Sequence, residues 1–182
     1  MKEYKPILIC LLKFFSVYFI LISLYNLYLN HYQIQLHTCD PFTKIVAQQS
    51  SYLLKIIKIN SSTLHINQDN YMLFFINKKL VSIVNEGCNA LSIMILYLAF
   101  IISFASTWKK TVIYILVTLI ILHISNIIRI AFINYSAYFY PMYRNELHDY
   151  IFPAIIYGLV ILLWIIWINF FVLKSAKNET NN

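Results

Sequence analysis

Long apolar runs separated by short polar breaks dominate the chain, and they predict membrane-spanning helices. The runs cover residues 6–29, 89–104 with an extension to Trp108, 111–133 and 150–173. A hydrocarbon core about 30 Å thick needs roughly 20 residues of helix. Lys13 interrupts the first run, but a lysine near a helix end can reach the interface. The pattern predicts an all-α integral membrane protein with about four transmembrane helices.

The segment between the first two runs differs in pattern. Residues 42–59 mix apolar residues with lysine and glutamine, which predicts an amphipathic interfacial helix. Residues 71–84 are rich in Phe, Ile and Val and are broken by Asn77-Lys78-Lys79, which predicts a β-hairpin. The expected organisation is an anchor (1–30), an extracytoplasmic loop (31–85), a core of three helices (86–173) and a cytoplasmic tail (174–182). The first run is long for a signal peptide, and no small-residue cleavage site follows it, so we expect an uncleaved anchor.

Composition supports a membrane protein. The chain is 60% hydrophobic and only 12% charged, whereas soluble domains are about 25% charged. The net charge of +7 raises the question of nucleic acid, but the basic residues stand in small groups at the ends of apolar runs. We therefore expect membrane lipid, and not nucleic acid, around this chain.

The lysines also predict the orientation. One side of a four-helix topology carries Lys2, Lys5, Lys13, Lys109, Lys110, Lys174 and Lys177. The short loop on the opposite side carries only Arg144, and the long loop is a weaker reporter of topology. By the positive-inside rule, both termini and the turn Thr107-Trp108-Lys109-Lys110 are expected in the cytoplasm of a cell with an inner membrane.

Three residues of reactive type are expected at the same outer boundary. Cys88 lies 20 residues before Trp108, and Arg129 lies 19 residues after Lys110. At 1.5 Å per residue each span is about 30 Å, one bilayer thickness. His148 stands just before the last apolar run, at that same boundary. These residues therefore form a candidate catalytic set on the periplasmic side.

Each of the three also has a structural interpretation. A lone cysteine beside an apolar helix is often a small packing residue, an arginine near a helix end can snorkel, and His148 could be a plain loop residue. Arg129 is costly within a membrane segment, at least about 2.5–3.5 kcal/mol, and Asn126 one turn earlier could hold it. His123 lies deeper on the same helix and is expected to be structural.

At these residues the sequence resembles the exosortase/archaeosortase family of membrane cysteine transpeptidases, most closely the exosortase F branch of Bacteroidetes. The likeness rests on Glu86-Gly87-Cys88-Asn89-Ala90-Leu91, then Asn126-Ile127-Ile128-Arg129-Ile130, then His148-Asp149-Tyr150. It covers about residues 80–173. Two departures stand out: many members have Cys-Ser-Gly where this chain has Cys88-Asn89-Ala90, and glycine is missing just after the histidine motif.

The resemblance implies cleavage of C-terminal sorting signals, each a short motif followed by a membrane helix and a basic tail. Cys88 would attack as thiolate and form a thioacyl intermediate. His148 would serve as general acid and base, and Arg129 would stabilise the oxyanion. Asn126 and Asp149 would orient them. Either Arg129 or protonated His148 would stabilise the Cys88 thiolate, and the sequence favours neither.

Two other functions stay open at this point. The chain could be a non-catalytic membrane assembly or export factor, with Arg129 as a partner-binding charge. It could also be a thiol-redox protein that uses Cys39 and Cys88, since Cys10 lies inside the first run. The histidines show no ligand spacing, so no metal is predicted, and no cofactor is expected.

Overall fold

The computed structural model describes residues 5–105 and 107–173, and helices account for most of them. The helices are α1 (Lys5–Asn30), α2 (Pro41–Ile56), α3 (Leu91–Ser103), α4 (Trp108–Phe139), the single turn α5 (Arg144–Glu146) and α6 (Phe152–Trp167). The strands are β1 (Ser61–Leu64), β2 (Met72–Ile76) and β3 (Lys79–Val84). Wide π-type turns lengthen α1 over His31–Gln35 and α6 over Leu147–Ile151 and Ile168–Val172. The predicted tail, with Lys174 and Lys177, lies outside the described residues, as does Lys2.

Three described helices are long and apolar enough to cross a membrane: Ile7–Gln35, Trp108–Phe139 and Leu147–Val172. They match three of the four predicted runs. The remaining run forms α3, which has 13 residues and is therefore only about 20 Å long. The fourth span stays a prediction.

Two predicted connections are wrong. Trp108, Lys109 and Lys110 were expected in a turn, but α4 begins at Trp108, and the irregular stretch comes earlier, after Ser103. The connection expected over residues 134–149 is shorter because α4 continues to Phe139. In both places the helical hydrogen bonds continue through residues that were assigned to loops because they are polar or aromatic.

Two compact units make up the described chain. The first contains the described parts of Met1–Tyr25, Ser92–Leu122 and Tyr157–Asn182, and the second contains Asn26–Leu91 and His123–Ile156. Within the first, Trp167 donates its indole N–H to the Phe104 carbonyl at 3.0 Å, and the Cys10 thiol donates to the Ser103 carbonyl at 3.6 Å. Side chains of other helices thus satisfy carbonyls that the end of α3 leaves without helical partners.

The second unit contains an antiparallel sheet in the order β1-β2-β3, so the all-α prediction is wrong for this segment. The predicted hairpin is confirmed as β2 and β3, which are joined at Asn77-Lys78. Both of these residues have positive φ, 50° and 65°, as a tight two-residue hairpin turn of type I′ requires. Strand β1 was not predicted, because Ser61, Ser62 and Thr63 show no apolar alternation.

Helix α2 covers one face of this sheet. The helix predicted for residues 42–59 is confirmed over Pro41–Ile56, whereas its interfacial position stays a prediction. It begins where the Asp40 carboxylate accepts the Thr43 N–H at 2.9 Å, with Pro41 as the first helical residue. Its buried face packs into one core with the inner residues of the sheet and two residues of α4. The core comprises Cys39, Val46, Ala47, Leu54, Met72, Phe74, Ile76, Val84, Ile130 and Ala131.

Candidate active site

Cys88 ends a single 3₁₀ turn, Glu86–Cys88, which lies between β3 and α3. Its N–H donates to the Asn85 carbonyl at 3.0 Å. Its thiol donates to the Asn85 side-chain oxygen at 3.5 Å. The thiol is partly buried, so Cys88 stands at the edge of the protein core in a fixed turn rather than in a free loop.

The two residues after Cys88 fix how the chain enters α3. Asn89 is fully buried, its side-chain oxygen accepts the Leu91 N–H at 2.8 Å, and its amide donates to Thr43 Oγ1 at 2.9 Å. Ala90 has φ 63°, a left-handed conformation that favours glycine. Glycine is the residue that the resemblance expects at this position, so the backbone shape fits that family's pattern although the residue differs.

Arg129 and Asn126 connect α4 to the turn of Cys88. The Arg129 Nη1 donates to the Asn126 side-chain oxygen at 3.3 Å, and the Asn126 amide donates to the Cys88 carbonyl at 2.9 Å. Asn126 is fully buried. One asparagine therefore contacts both the guanidinium and the backbone of Cys88. Its place one turn before Arg129 predicted the first contact but not the second.

His148 lies in the π-type turn Leu147–Ile151 that precedes α6. Its Nδ1 is 2.8 Å from a carboxylate oxygen of Asp149, and both side chains are more than half exposed. A carboxylate at Nδ1 favours the tautomer with hydrogen on that nitrogen, which leaves Nε2 to accept a proton. Asp149 therefore contacts the residue that it was expected to orient.

Cys88, Arg129 and His148 line one cavity of about 370 Å³. Three separate segments of the second unit supply them: the turn after β3, the outer part of α4 and the turn before α6. The remaining lining residues are Ser82, Ile83, Val84, Asn85, Gly87, Ile130, Ile133, Asn134 and Ala137. The structure thus brings together the three residues whose meeting was predicted from helix lengths.

Three polar residues of this cavity were not predicted. Ser82 donates to the Asn134 side-chain oxygen at 2.6 Å, and the Asn134 amide donates to the Ile130 carbonyl at 2.9 Å. Asn85 accepts the Cys88 thiol. Serine and asparagine are common in loops and helices, and only the fold shows that these meet. The spacing gave no signal either, because Asn134 lies five residues after Arg129, about 140° round the helix from it.

Cys39 and His123 do not line this cavity. Cys39 is fully buried, and burial, followed by the nearby Asp40 carboxylate, raises the pKa of its thiol to about 12. His123 contacts Gln49 at 2.8 Å and packs against Phe42, which agrees with the structural role expected for it. All three cysteines are free.

Comparison with known proteins identifies one family. A family model described as transmembrane exosortase matches residues 9–171. No curated protein and no solved structure matches the chain. The match covers most of the chain, including every residue of the candidate site.

Proposed function

Because the chain belongs to the transmembrane exosortase family, we propose that it is a membrane cysteine protease or transpeptidase that cleaves C-terminal sorting signals. The observation that carries this proposal is the shared cavity of Cys88, Arg129 and His148. Acyl transfer needs a nucleophile, a group that stabilises negative charge and a group that carries protons. Cys88, Arg129 and His148 are of these three types and line the same cavity.

The proposed substrates are exported proteins that end in a short motif, a membrane helix and a basic tail. The site would face the periplasm across the inner membrane, with both termini of the enzyme in the cytoplasm. The turn containing Cys88 follows the β-sheet and precedes an apolar helix, so it suits a peptide bond just outside the bilayer. Within the family, the motifs are most like those of the exosortase F branch of Bacteroidetes.

In the first step the Cys88 thiolate attacks the carbonyl carbon of the scissile peptide bond. A C–S bond forms and the carbonyl oxygen becomes an oxyanion. When the intermediate collapses, the C–N bond breaks and protonated His148 gives its proton to the departing amine. The products are a thioacyl enzyme, neutral His148 and the freed C-terminal helix.

In the second step an incoming amine or water attacks the thioacyl carbon. Neutral His148 takes the proton of the nucleophile, the C–S bond breaks, and Cys88 leaves as thiolate. The enzyme then returns to its starting state, a thiolate beside protonated His148. The Asp149 carboxylate at 2.8 Å from Nδ1 stabilises that imidazolium and keeps the ring oriented.

Arg129 is the proposed oxyanion partner. It remains charged at all relevant pH values and offers several N–H donors in a planar fork. Its contact with Asn126, which also holds the Cys88 carbonyl, fixes the guanidinium relative to the turn of the nucleophile. Preorganised donors of this kind are typically worth about 10²–10³ in rate.

The deciding experiment compares the C-termini of surface and membrane proteins by mass spectrometry in cells with the natural chain and cells with Cys88→Ala. Cys39→Ala is the matched control, because it removes a buried thiol outside the cavity. We expect proteins that keep an uncleaved C-terminal helix only in the Cys88→Ala cells. Identical C-termini in all three strains, with each variant present in the membrane, would reject the enzyme and favour the assembly or export factor.

A further inference from the structure

The cavity meets the edge of a β-sheet. Strand β3 pairs with β2 on one side, and within the described residues no strand pairs with its other side. Three consecutive residues of β3, Ser82, Ile83 and Val84, line the cavity. Successive side chains in a strand point to opposite faces of the sheet. One cavity can therefore be lined by three consecutive residues of a strand only where it meets the edge of that strand. Backbone N–H and C=O groups are exposed at such an edge.

Three hydrogen bonds set the direction of this edge against α4. Asn77 donates to the Tyr138 hydroxyl at 3.3 Å, Ser82 bonds Asn134, and the carbonyl of Cys88 bonds Asn126. Residue numbers rise along one partner and fall along the other. The segment from β3 to Cys88 therefore runs antiparallel to α4.

The same contacts orient the cavity along α4. Its Cys88 end lies beside Asn126, towards the start of α4, and its Ala137 end lies towards Phe139. In the topology predicted from the sequence, α4 runs from the cytoplasm outwards, so the Cys88 end is expected nearer the membrane than the Ala137 end. The lining of α4 extends from Arg129 to Ala137, which is about 12 Å along the helix axis, the length of three to four extended residues.

We propose that the segment just before the scissile bond binds in this cavity as an added strand beside β3. The inference rests on the proposed function. A sorting signal runs from its exported domain towards its membrane helix, so it enters at the Ala137 end and reaches Cys88 last. Strand β3 runs towards Cys88 in the same direction, and the added strand is therefore parallel to β3. Backbone hydrogen bonds supply affinity in this mode, and side-chain pockets supply selectivity.

The lining defines the side chains that the site accepts. Apart from the polar pair Ser82 and Asn134, the part of the cavity away from Cys88 is lined by Ile83, Ile130, Ile133 and Ala137. Apart from the nucleophile Cys88, the lining residues that can carry charge are Arg129 and His148, and both are cationic when charged. The bound segment is therefore an extended peptide of about three to four residues without lysine or arginine.

A photo-crosslinking experiment tests the location. In the full-length Cys88→Ala chain, p-benzoylphenylalanine replaces Ile83 at the cavity edge or, as the control, Leu64 on the opposite edge strand β1; both are about half exposed, 52% and 53%. We expect position 83 to crosslink a protein that these cells keep uncleaved. The adduct should map within about four residues before its cleavage site, and position 64 should give no such adduct.

A proline scan of that substrate tests the strand pairing. Proline lacks the N–H that pairs with a sheet edge, and only alternate residues of a strand direct their N–H to one neighbour. We expect cleavage by the natural chain to fall about tenfold or more at alternate positions. Lysine at any of these positions should also block cleavage.

The outcomes separate the two proposals. In one set of outcomes, uncleaved substrates accumulate while position 83 gives no adduct, gives an adduct after the cleavage site, or reacts no better than position 64. Each of these results rejects the strand-addition site and leaves the proposed enzyme activity supported. Uniform tolerance of proline rejects it as well. If no substrate accumulates in the Cys88→Ala cells, the enzyme is rejected and this inference falls with it.

Discussion

At the scale of single residues, Asn126 gives the site its geometry. It is buried and contacts both Arg129 and the Cys88 carbonyl. Residue types and helix lengths were sufficient to predict that Cys88, Arg129 and His148 would meet, because a reactive residue at an apolar boundary is conspicuous. The contacts of Asn85, Ser82 and Asn134 could not be predicted, since neutral polar residues carry no comparable signal.

Arg129→Lys tests the guanidinium. A lysine keeps the positive charge but cannot form the planar fork that contacts Asn126 and, in the proposed mechanism, the oxyanion. We expect substrate cleavage to fall by about 10²-fold or more, while the amount of protein in the membrane stays unchanged. The measurement is the ratio of cleaved to uncleaved substrate in cells, with immunoblotting of the membrane fraction as the control. Cleavage close to the natural rate would exclude Arg129 as the oxyanion partner.

Thiol labelling tests the activation of Cys88. Comparison with Cys39 alone is not decisive, because Cys39 is fully buried with a thiol pKa raised to about 12. The thiolate is the reactive form of cysteine, and a raised pKa leaves almost none of it at Cys39 near neutral pH. We expect Cys39 to remain unlabelled until the protein unfolds.

The informative comparison is the rate of Cys88 labelling at neutral pH in the natural chain, in Arg129→Gln and in His148→Ala. The variant that loses the cation responsible for activation should label more slowly, because the thiolate has lost its stabilising charge. Equal rates in all three chains would show that neither residue activates the thiol.

At the scale of elements, the end of α3 decides between two limits of one apolar run. The run was predicted to end at Phe104 with an extension to Trp108, and α3 ends at Ser103, next to the shorter limit. The residues just after Ser103 include no glycine or proline, so no local sequence signal marks the end of this helix. The helix can end there because Trp167 and Cys10 donate to the carbonyls of Phe104 and Ser103. In lipid, non-helical backbone is tolerated only where protein groups satisfy it.

Two tryptophan variants test this cap. Trp167→Phe removes the donor to the Phe104 carbonyl and should lower the free energy of unfolding by about 1–3 kcal/mol. Trp164→Phe is the matched control, because its buried indole N–H has no hydrogen-bond acceptor in the described structure. Removing the Trp164 N–H should therefore change the free energy of unfolding little. Thermal unfolding in detergent measures both, and equal effects would show that the hydrogen bond of Trp167 does not stabilise the end of α3.

The turn after the nucleophile makes a second test at this scale. Ala90 has φ 63° and is almost fully buried. Glycine accepts this conformation without strain, whereas a β-branched residue does not. Ala90→Gly should keep cleavage near normal, and Ala90→Val should lose most of it by displacing Cys88. Full activity of Ala90→Val would show that the turn adapts.

At the scale of the whole molecule, the apolar runs gave the membrane class correctly, and the family match agrees with it. The number of crossings is less direct. Three helices have the length of a span, and α3 has 13 residues. Hydropathy reports where apolar residues occur, whereas the helical extent within a run depends on which side chains satisfy its ends.

Reporter fusions decide the topology. Fusions after Thr107, after Tyr143 and after Asn182 should report cytoplasm, periplasm and cytoplasm in turn if α3 and its flanking residues cross the membrane. Alkaline phosphatase is active only in the periplasm. Green fluorescent protein exported in unfolded form does not fluoresce there, so it reports only the cytoplasm, and the two reporters give opposite readings at each site. A periplasmic reading after Thr107 would show that the segment containing α3 does not cross.

The hydrogen bonds between the β2–β3 hairpin and α4 limit how such an enzyme can be re-engineered. A designer who exchanged residues 31–85 with those of a relative, to import its substrate preference, would transplant one half of each pair. The partners Asn134 and Tyr138 would stay behind on the helix. The unit that can be exchanged is therefore discontinuous in sequence: the sheet has to be exchanged together with the part of α4 that contains Asn134 and Tyr138. Replacing residues 31–85 alone will displace the nucleophile Cys88.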